Sequence, residues 1–138
     1  MPDRLLIDTN IAVYFATGHE LAARYRPHLE GNVLALSFAT AAELLYTARR
    51  AKNPTRSITY LRERLPHYAV LFPDLETCDI WARITADCAR RGRPKQDNDL
   101  WIAATALRHT LPLVTHNRRD FDDVPGLTVI SEAGVRPR

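Results

Sequence analysis

The sequence predicts a three-layer α/β/α sandwich with a mostly parallel central sheet, and three observations carry that expectation. Short apolar runs bounded by polar residues alternate with stretches of helical periodicity, the pattern of strand–helix–strand units that build parallel sheets. Two of the runs, "RLLIDT" and "LPLVTHN", finish in polar residues at what would be their carboxyl ends. The length of 138 residues fits one compact domain, expected to span 1–138. Such a chain buries roughly two thirds of the surface its unfolded state exposes. With 46% hydrophobic and 25% charged residues, the composition excludes disordered and fibrous classes.

In chain order, "RLLIDT" reads as a buried strand ending at Asp8, after which Asn10 is placed to cap a helix over "IAVYFAT". Gly18 breaks that helix, and "HELAARYRPHLEG" supplies a second, with Leu21, Tyr25 and Leu29 at helical spacing. "NVLALS" is the next strand. "FATAAELLYTARRA" consists of helix formers, and "NPTRSITYLRERLPHY" opens with Asn53 and Pro54 in the order of an N-cap and first helical position, giving a helical hairpin. "AVLF" is a short strand, and Asp74 heads a long helix over "LETCDIWARITADCARRG" that stops at Gly92. After the loop "RPKQ", "DNDLWIAATALRH" forms a helix that is apolar on nearly every side, with Asp97 or Asn98 as its N-cap. "LPLVTHN" is a strand, "RRDFDDVPG" a turn and "LTVI" a final strand.

Cys78 and Cys88 fall in one helix, where ten residues separate them by about 15 Å, too far for a bridge. Both are expected to be reduced core thiols. No apolar run approaches the roughly 20 residues that span a bilayer, and "MPDRLLIDTN" lacks the pattern of a signal peptide. The expectation is a cytoplasmic protein with no membrane partner. A net charge of +3 leaves anionic partners open without demanding one.

Open parallel sheets form their sites beyond the carboxyl ends of the strands. Asp8, Thr9 and Asn10 occupy one such end, and Thr115, His116 and Asn117 another, although Asx-turns or caps would also account for either group. Thr40 and Glu43 fit a T-x-x-E capping box, yet the apolar helix around Glu43 makes an unpaired charge costly there. Asp99 remains once Asp97 or Asn98 has capped its helix, and it shares a face with Ala103 and Ala106. Interaction with the helix dipole is its bland alternative. Asp120 sits in an acidic turn beside Asp122 and Asp123, which read as solvated. Converging carboxylates repel one another and rise in pKa unless a cation compensates; an all-oxygen set suits Mg²⁺ or Mn²⁺. Without Cys/His pairing or an H-E-x-x-H pattern, zinc has little support.

Taken in order, "LLIDTNI", "AAELLY", "DNDLWIAATAL" and "LVTHNRRDF" resemble the successive motifs of the PIN domain, specifically of the VapC toxins of bacterial toxin–antitoxin pairs. The resemblance covers nearly the whole chain, and four spaced motifs are far more specific than one. It implies a metal-dependent endoribonuclease acting on structured RNA such as tRNA or ribosomal RNA, leaving 5′-phosphate and 3′-hydroxyl ends. Asp8, Glu43 and Asp99 match the three core acids that hold Mg²⁺ (or Mn²⁺), and Asp120 matches a fourth, less uniform acid of the catalytic set. Thr9 and Thr115 match small hydroxyl positions, and Asn10 and Asn117 match polar positions lining the site. Asn117 stands where many PIN relatives carry an aspartate, which weakens the case for a second resident ion. A homodimer built on helices and a cognate VapB-type antitoxin that blocks the cleft are implied in the same way. The apolar positions Ile58, Leu61 and Leu65 are available for that contact or for the core.

Arg90, Arg91, Arg93 and Lys95 precede the acidic helix, and Arg118 and Arg119 follow the other strand end, so these bases are candidates to grip an RNA backbone. A solvated basic helix end explains the first group equally well. Two rival functions remain. A phosphatase with Asp8 as nucleophile generally wants an acid two residues on, where this chain has Asn10. A non-catalytic PIN-like RNA-binding or scaffolding module is opposed by the intact Asp8, Glu43 and Asp99.

Overall fold

The computed structural model describes residues 2–134. Five strands form one sheet: β1 (Arg4–Ile7), β2 (Val33–Ser37), β3 (Ala69–Leu71), β4 (Leu113–Val114) and β5 (Val129–Ile130), in the spatial order β3-β2-β1-β4-β5. Every neighbouring pair is parallel, the final strand included. The chain first winds from β1 outward to β3 and then returns to place β4 on the other side of β1. The winding direction therefore reverses between β1 and β4, and a crevice opens beyond their carboxyl ends.

Among the described residues six α-helices cover the two faces: α1 (Thr9–Thr17), α2 (Ala22–Leu29), α3 (Phe38–Arg49), α4 (Pro54–Arg64), α5 (Leu75–Arg90) and α6 (Asp97–His109). Alternate strand residues point to opposite sides, which splits the core in two. Leu6, Ala35 and Leu113 pack with Ile80, Ile84 and Cys88 of α5 and Ile102, Ala103 and Ala106 of α6. Leu5, Ile7, Leu36 and Val114 pack with Ile11 of α1, Tyr25 and Leu29 of α2 and Leu44 of α3. Three layers follow from this two-sided burial, as the periodicity predicts.

Several local expectations are corrected. Asp8, not Asn10, caps α1, its carboxylate accepting from the Thr9 N–H. The Thr40–Glu43 capping box does not form: Ser37 caps α3 by accepting from the Ala39 N–H, which places Thr40 and Glu43 inside the helix on one face. Neither Asp97 nor Asn98 caps α6; Gln96 holds that position without a side-chain bond, so both aspartates lie in the first turn. Cys88 is buried but Cys78 is exposed, because the apolar stripe of α5 follows Ile80, Ile84 and Cys88 and turns Cys78 outward. The last two strands are shorter than their apolar runs, only Leu113–Val114 and Val129–Ile130 being paired. The caps at Asn53 and Asp74 form where expected, the latter as a reciprocal box with Thr77.

Candidate metal centre

The site is built outward from Asp8. Parallel pairing of Leu6 with Leu113 and Ile7 with Val114 brings Asp8, one residue beyond β1, beside Thr115, one residue beyond β4. Asp8 is 5% exposed, and each of its oxygens has a partner: Oδ1 accepts from the Thr9 N–H at 2.7 Å, and Oδ2 accepts from the Thr115 hydroxyl at 2.6 Å. Thr115 Oγ1 in turn accepts from the Asn117 N–H at 3.0 Å, so one buried hydroxyl ties the acid to the loop that follows β4. Asn10 makes a second tie, its side-chain oxygen accepting from the His116 N–H at 3.4 Å.

Glu43 arrives from α3. Thr9 Oγ1 donates to Glu43 Oε1 at 3.3 Å and lies 3.1 Å from the fully buried Thr40 hydroxyl. The i, i+3 spacing that imitates a capping box thus aims Thr40 and Glu43 together at the end of β1. Asp99 comes from the first turn of α6, whose alanine-rich side lets the helix approach the sheet closely. Asp120 closes the set from a 3₁₀ turn at Arg118–Asp120.

The four acids share one cleft of about 570 Å³ with Thr9, Asn10, Lys95, Asn117, Pro94 and Gln96. Burial and neighbouring charge raise the pKa of two of them, Asp99 and Asp8. Burial, reinforced by the charges of Asp8, Asp120 and Glu43, pushes Asp99 from 3.8 up to about 6, with Lys95 opposing. Burial also raises Asp8, against its hydrogen bonds to Thr115 and Thr9, while Glu43 and Asp120 push it further up. Lys95 is the cation that lines the cleft, but its ammonium is committed 2.7 Å from Asp123. The cleft therefore carries more negative charge than its own residues neutralise, the condition that favours a bound cation.

Among the described residues no three acidic, histidine or cysteine side chains are drawn up as a ready set of direct ligands to one ion. A small divalent cation that retains several waters, and so meets some of its carboxylates through them, suits this arrangement of oxygen donors better than a closed protein cage. The donor chemistry fits magnesium or manganese.

The basic candidates divide. Lys95 lines the cleft. Arg90 and Arg91 both pair with Asp87, and Arg91 also donates to the Asp123 carbonyl, so they brace the end of α5. Arg118 is bonded to Asp122 and to the Val129 carbonyl. Arg93 does not line the cleft, and Arg119 faces an adjoining cavity. Sequence reasoning missed Pro94 and Gln96 as lining residues and Thr40 as a brace of the site. Only Thr40 carried a signal, its spacing from Glu43.

The family model described as PIN domain matches residues 5–127. Ribonuclease VapC1 of Haemophilus influenzae (strain R2866) is 32% identical over 124 residues, which is 88% of this chain and 92% of that protein. The tRNA(fMet)-specific endonuclease VapC of Shigella flexneri is 31% identical over 124 residues, covering 90% and 94% respectively. Among solved structures, VapBC-1 from nontypeable Haemophilus influenzae superposes with a TM-score of 0.81 at 31% identity, over 93% of this chain and 97% of the matched one. DNA-bound VapBC from Salmonella typhimurium gives 0.84 at 27% identity, over 95% and 98%. Matched across most of its length in sequence and in backbone, the chain belongs to the PIN-domain family, among its VapC members.

Proposed function

We propose that residues 1–138 form one toxin endoribonuclease domain that hydrolyses phosphodiester bonds of structured RNA and uses Mg²⁺ or Mn²⁺ held by Asp8, Glu43 and Asp99. The observation that carries the reading is the gathering of these three acids with Asp120 in one under-neutralised cleft at the reversal point of a parallel sheet. When bound, the ion supplies Lewis-acid activation of water and offsets charge on the phosphate.

The protein's own residues do the positioning. Thr115 and the Thr9 amide hold the Asp8 carboxylate in one orientation, and the Thr9 hydroxyl steers Glu43. Asp120, at the cleft edge, accepts a hydrogen bond from the attacking water and orients it toward phosphorus. The water oxygen bonds to phosphorus as the P–O3′ bond breaks; the water gives up a proton, the departing oxygen takes one from solvent, and the products carry 5′-phosphate and 3′-hydroxyl ends. Transfer RNA is the favoured substrate class, because a relative as similar as the Shigella protein is named for it.

Neutralisation by a VapB-type antitoxin belongs to the same reading, since the matched structures are VapBC complexes. An apolar groove of about 150 Å³, lined by Phe15, Leu44, Tyr60, Leu61, Leu65 and Tyr68, offers such a partner a seat. Leu61 and Leu65 line it while also packing on the core, whereas Ile58 is half-buried outside it. A homodimer would cover exposed apolar residues such as Phe72 and Leu75, 74% and 86% accessible. No helix among the described residues is long and apolar enough to cross a membrane.

The test is incubation of the purified chain with total tRNA. Cleavage is expected with Mg²⁺ or Mn²⁺, absent with chelator, and abolished by Asp8→Asn. Metal-independent cleavage defeats the metal assignment, and RNA binding without cleavage under any divalent ion would establish the non-catalytic module instead.

A further inference from the structure

A second cavity, of about 510 Å³, adjoins the acidic cleft and shares Asn117 and Asp120 with it. Its remaining polar lining is His116, Arg118 and Arg119, so the lining changes from acidic to basic across the shared residues. Arg118 is already engaged with Asp122 and the Val129 carbonyl. Arg119 makes no hydrogen bond or ion pair among the described residues, which leaves a whole guanidinium fork for an incoming anion.

His116 is held by a residue far away in sequence. Tyr25 has no exposed surface, and its hydroxyl accepts from the Glu132 N–H at 3.0 Å while standing 2.6 Å from His116 Nδ1. A backbone amide can only donate, so the single phenolic proton goes either to Nδ1 at 2.6 Å or to the Thr115 carbonyl at 3.5 Å, and the shorter contact favours Nδ1. That assigns the imidazole proton to Nε2. Tyr25 and Tyr14 also meet the ring at 84° and 74°, fixing its plane. With the Nδ1 edge turned to buried Tyr25, the edge left for the cavity carries an N–H donor.

We infer that this cavity is the subsite for the phosphate next to the scissile one in the RNA strand, with Arg119 and His116 Nε2 as its donors and Tyr25 as the residue that positions His116. The inference rests on the ribonuclease reading above. A strand whose scissile phosphate lies in the acidic cleft and that leaves past Asn117 and Asp120 carries its next phosphate into this cavity, where, among the described residues, Arg119 is the uncommitted cation and the His116 N–H faces it.

The test uses a fluorescently labelled stem-loop RNA containing the mapped cut site, in versions with single phosphates replaced by neutral methylphosphonate. Arg119→Ala is expected to raise KM roughly tenfold, with the loss in KM rather than kcat, and to flatten the slope of log affinity against log salt by about 0.7. One methylphosphonate beside the cut should weaken the wild type similarly and add nothing in Arg119→Ala. Imidazole ¹⁵N shifts should report the Nε2–H tautomer in the wild type and its loss in Tyr25→Phe, with a parallel rise in KM. Fully additive losses from Arg119→Ala and the methylphosphonate, with the wild type cutting normally, overturn the subsite alone and point to another occupant such as a peptide carboxylate. A wild type that cuts no RNA with any divalent ion defeats the ribonuclease reading and the subsite together.

Discussion

Asp99→Asn should make the metal-free protein more stable while disabling it. In the folded chain burial and the neighbouring acids Asp8, Asp120 and Glu43 raise Asp99 from 3.8 to about 6. A raised carboxylate stabilises the fold fully below its unfolded pKa, and that contribution is lost as pH climbs through the folded value. The rise is worth about 3 kcal/mol if unscreened; because Asp99 is only half-buried, about 1–3 kcal/mol is the expected penalty above pH 6. Asparagine keeps the shape and removes the charge. Denaturant melts in EDTA should therefore show Asp99→Asn ahead of the wild type by that amount at pH 8, with the advantage fading between pH 6 and 4. Adding Mg²⁺ or Mn²⁺ should stabilise the wild type and recover much of the difference, with little effect on the variant. A variant no more stable than wild type at pH 8, or a wild type indifferent to divalent ions, would refute the claim that the cleft is short of positive charge.

Thr115→Val removes the hydroxyl that joins Asp8 Oδ2 to the Asn117 amide. Divalent-ion affinity, read by titration calorimetry, should fall about 10–100-fold, and stability by about 1–3 kcal/mol, since a buried carboxylate oxygen loses its donor. Ala103→Leu forces a larger side chain into the fully buried seam that lets α6 approach the sheet. It should cost about 1–3 kcal/mol in thermal melts and weaken ion binding by moving Asp99; a neutral outcome would mean the close approach is not needed.

The Arg residues show where sequence reading stops. Arg90, Arg91, Arg93 and Lys95 form one basic run, yet Arg90 and Arg91 are spent on Asp87, Lys95 on Asp123, and only Lys95 reaches the cleft. Nothing local separates them, because Asp123 meets Lys95 only through tertiary packing. Caps failed for a related reason: Asp8 and Asn10, or Ser37 and Thr40, are equally able chemically, and the choice depends on where the preceding strand stops.

The sequence by itself determined the alternation of strands and helices, the two polar strand ends, the Asn53 and Asp74 caps, and the acids that match the family motifs, because each depends on side-chain chemistry and short-range backbone periodicity. Tertiary structure alone decided that β4 returns to the far side of β1, which places Asp8 beside Thr115 across 107 positions of chain, and that Tyr25 reaches His116 across 91. Strand order is chosen by which apolar faces bury each other best over the whole molecule, and no window of a few residues contains that comparison.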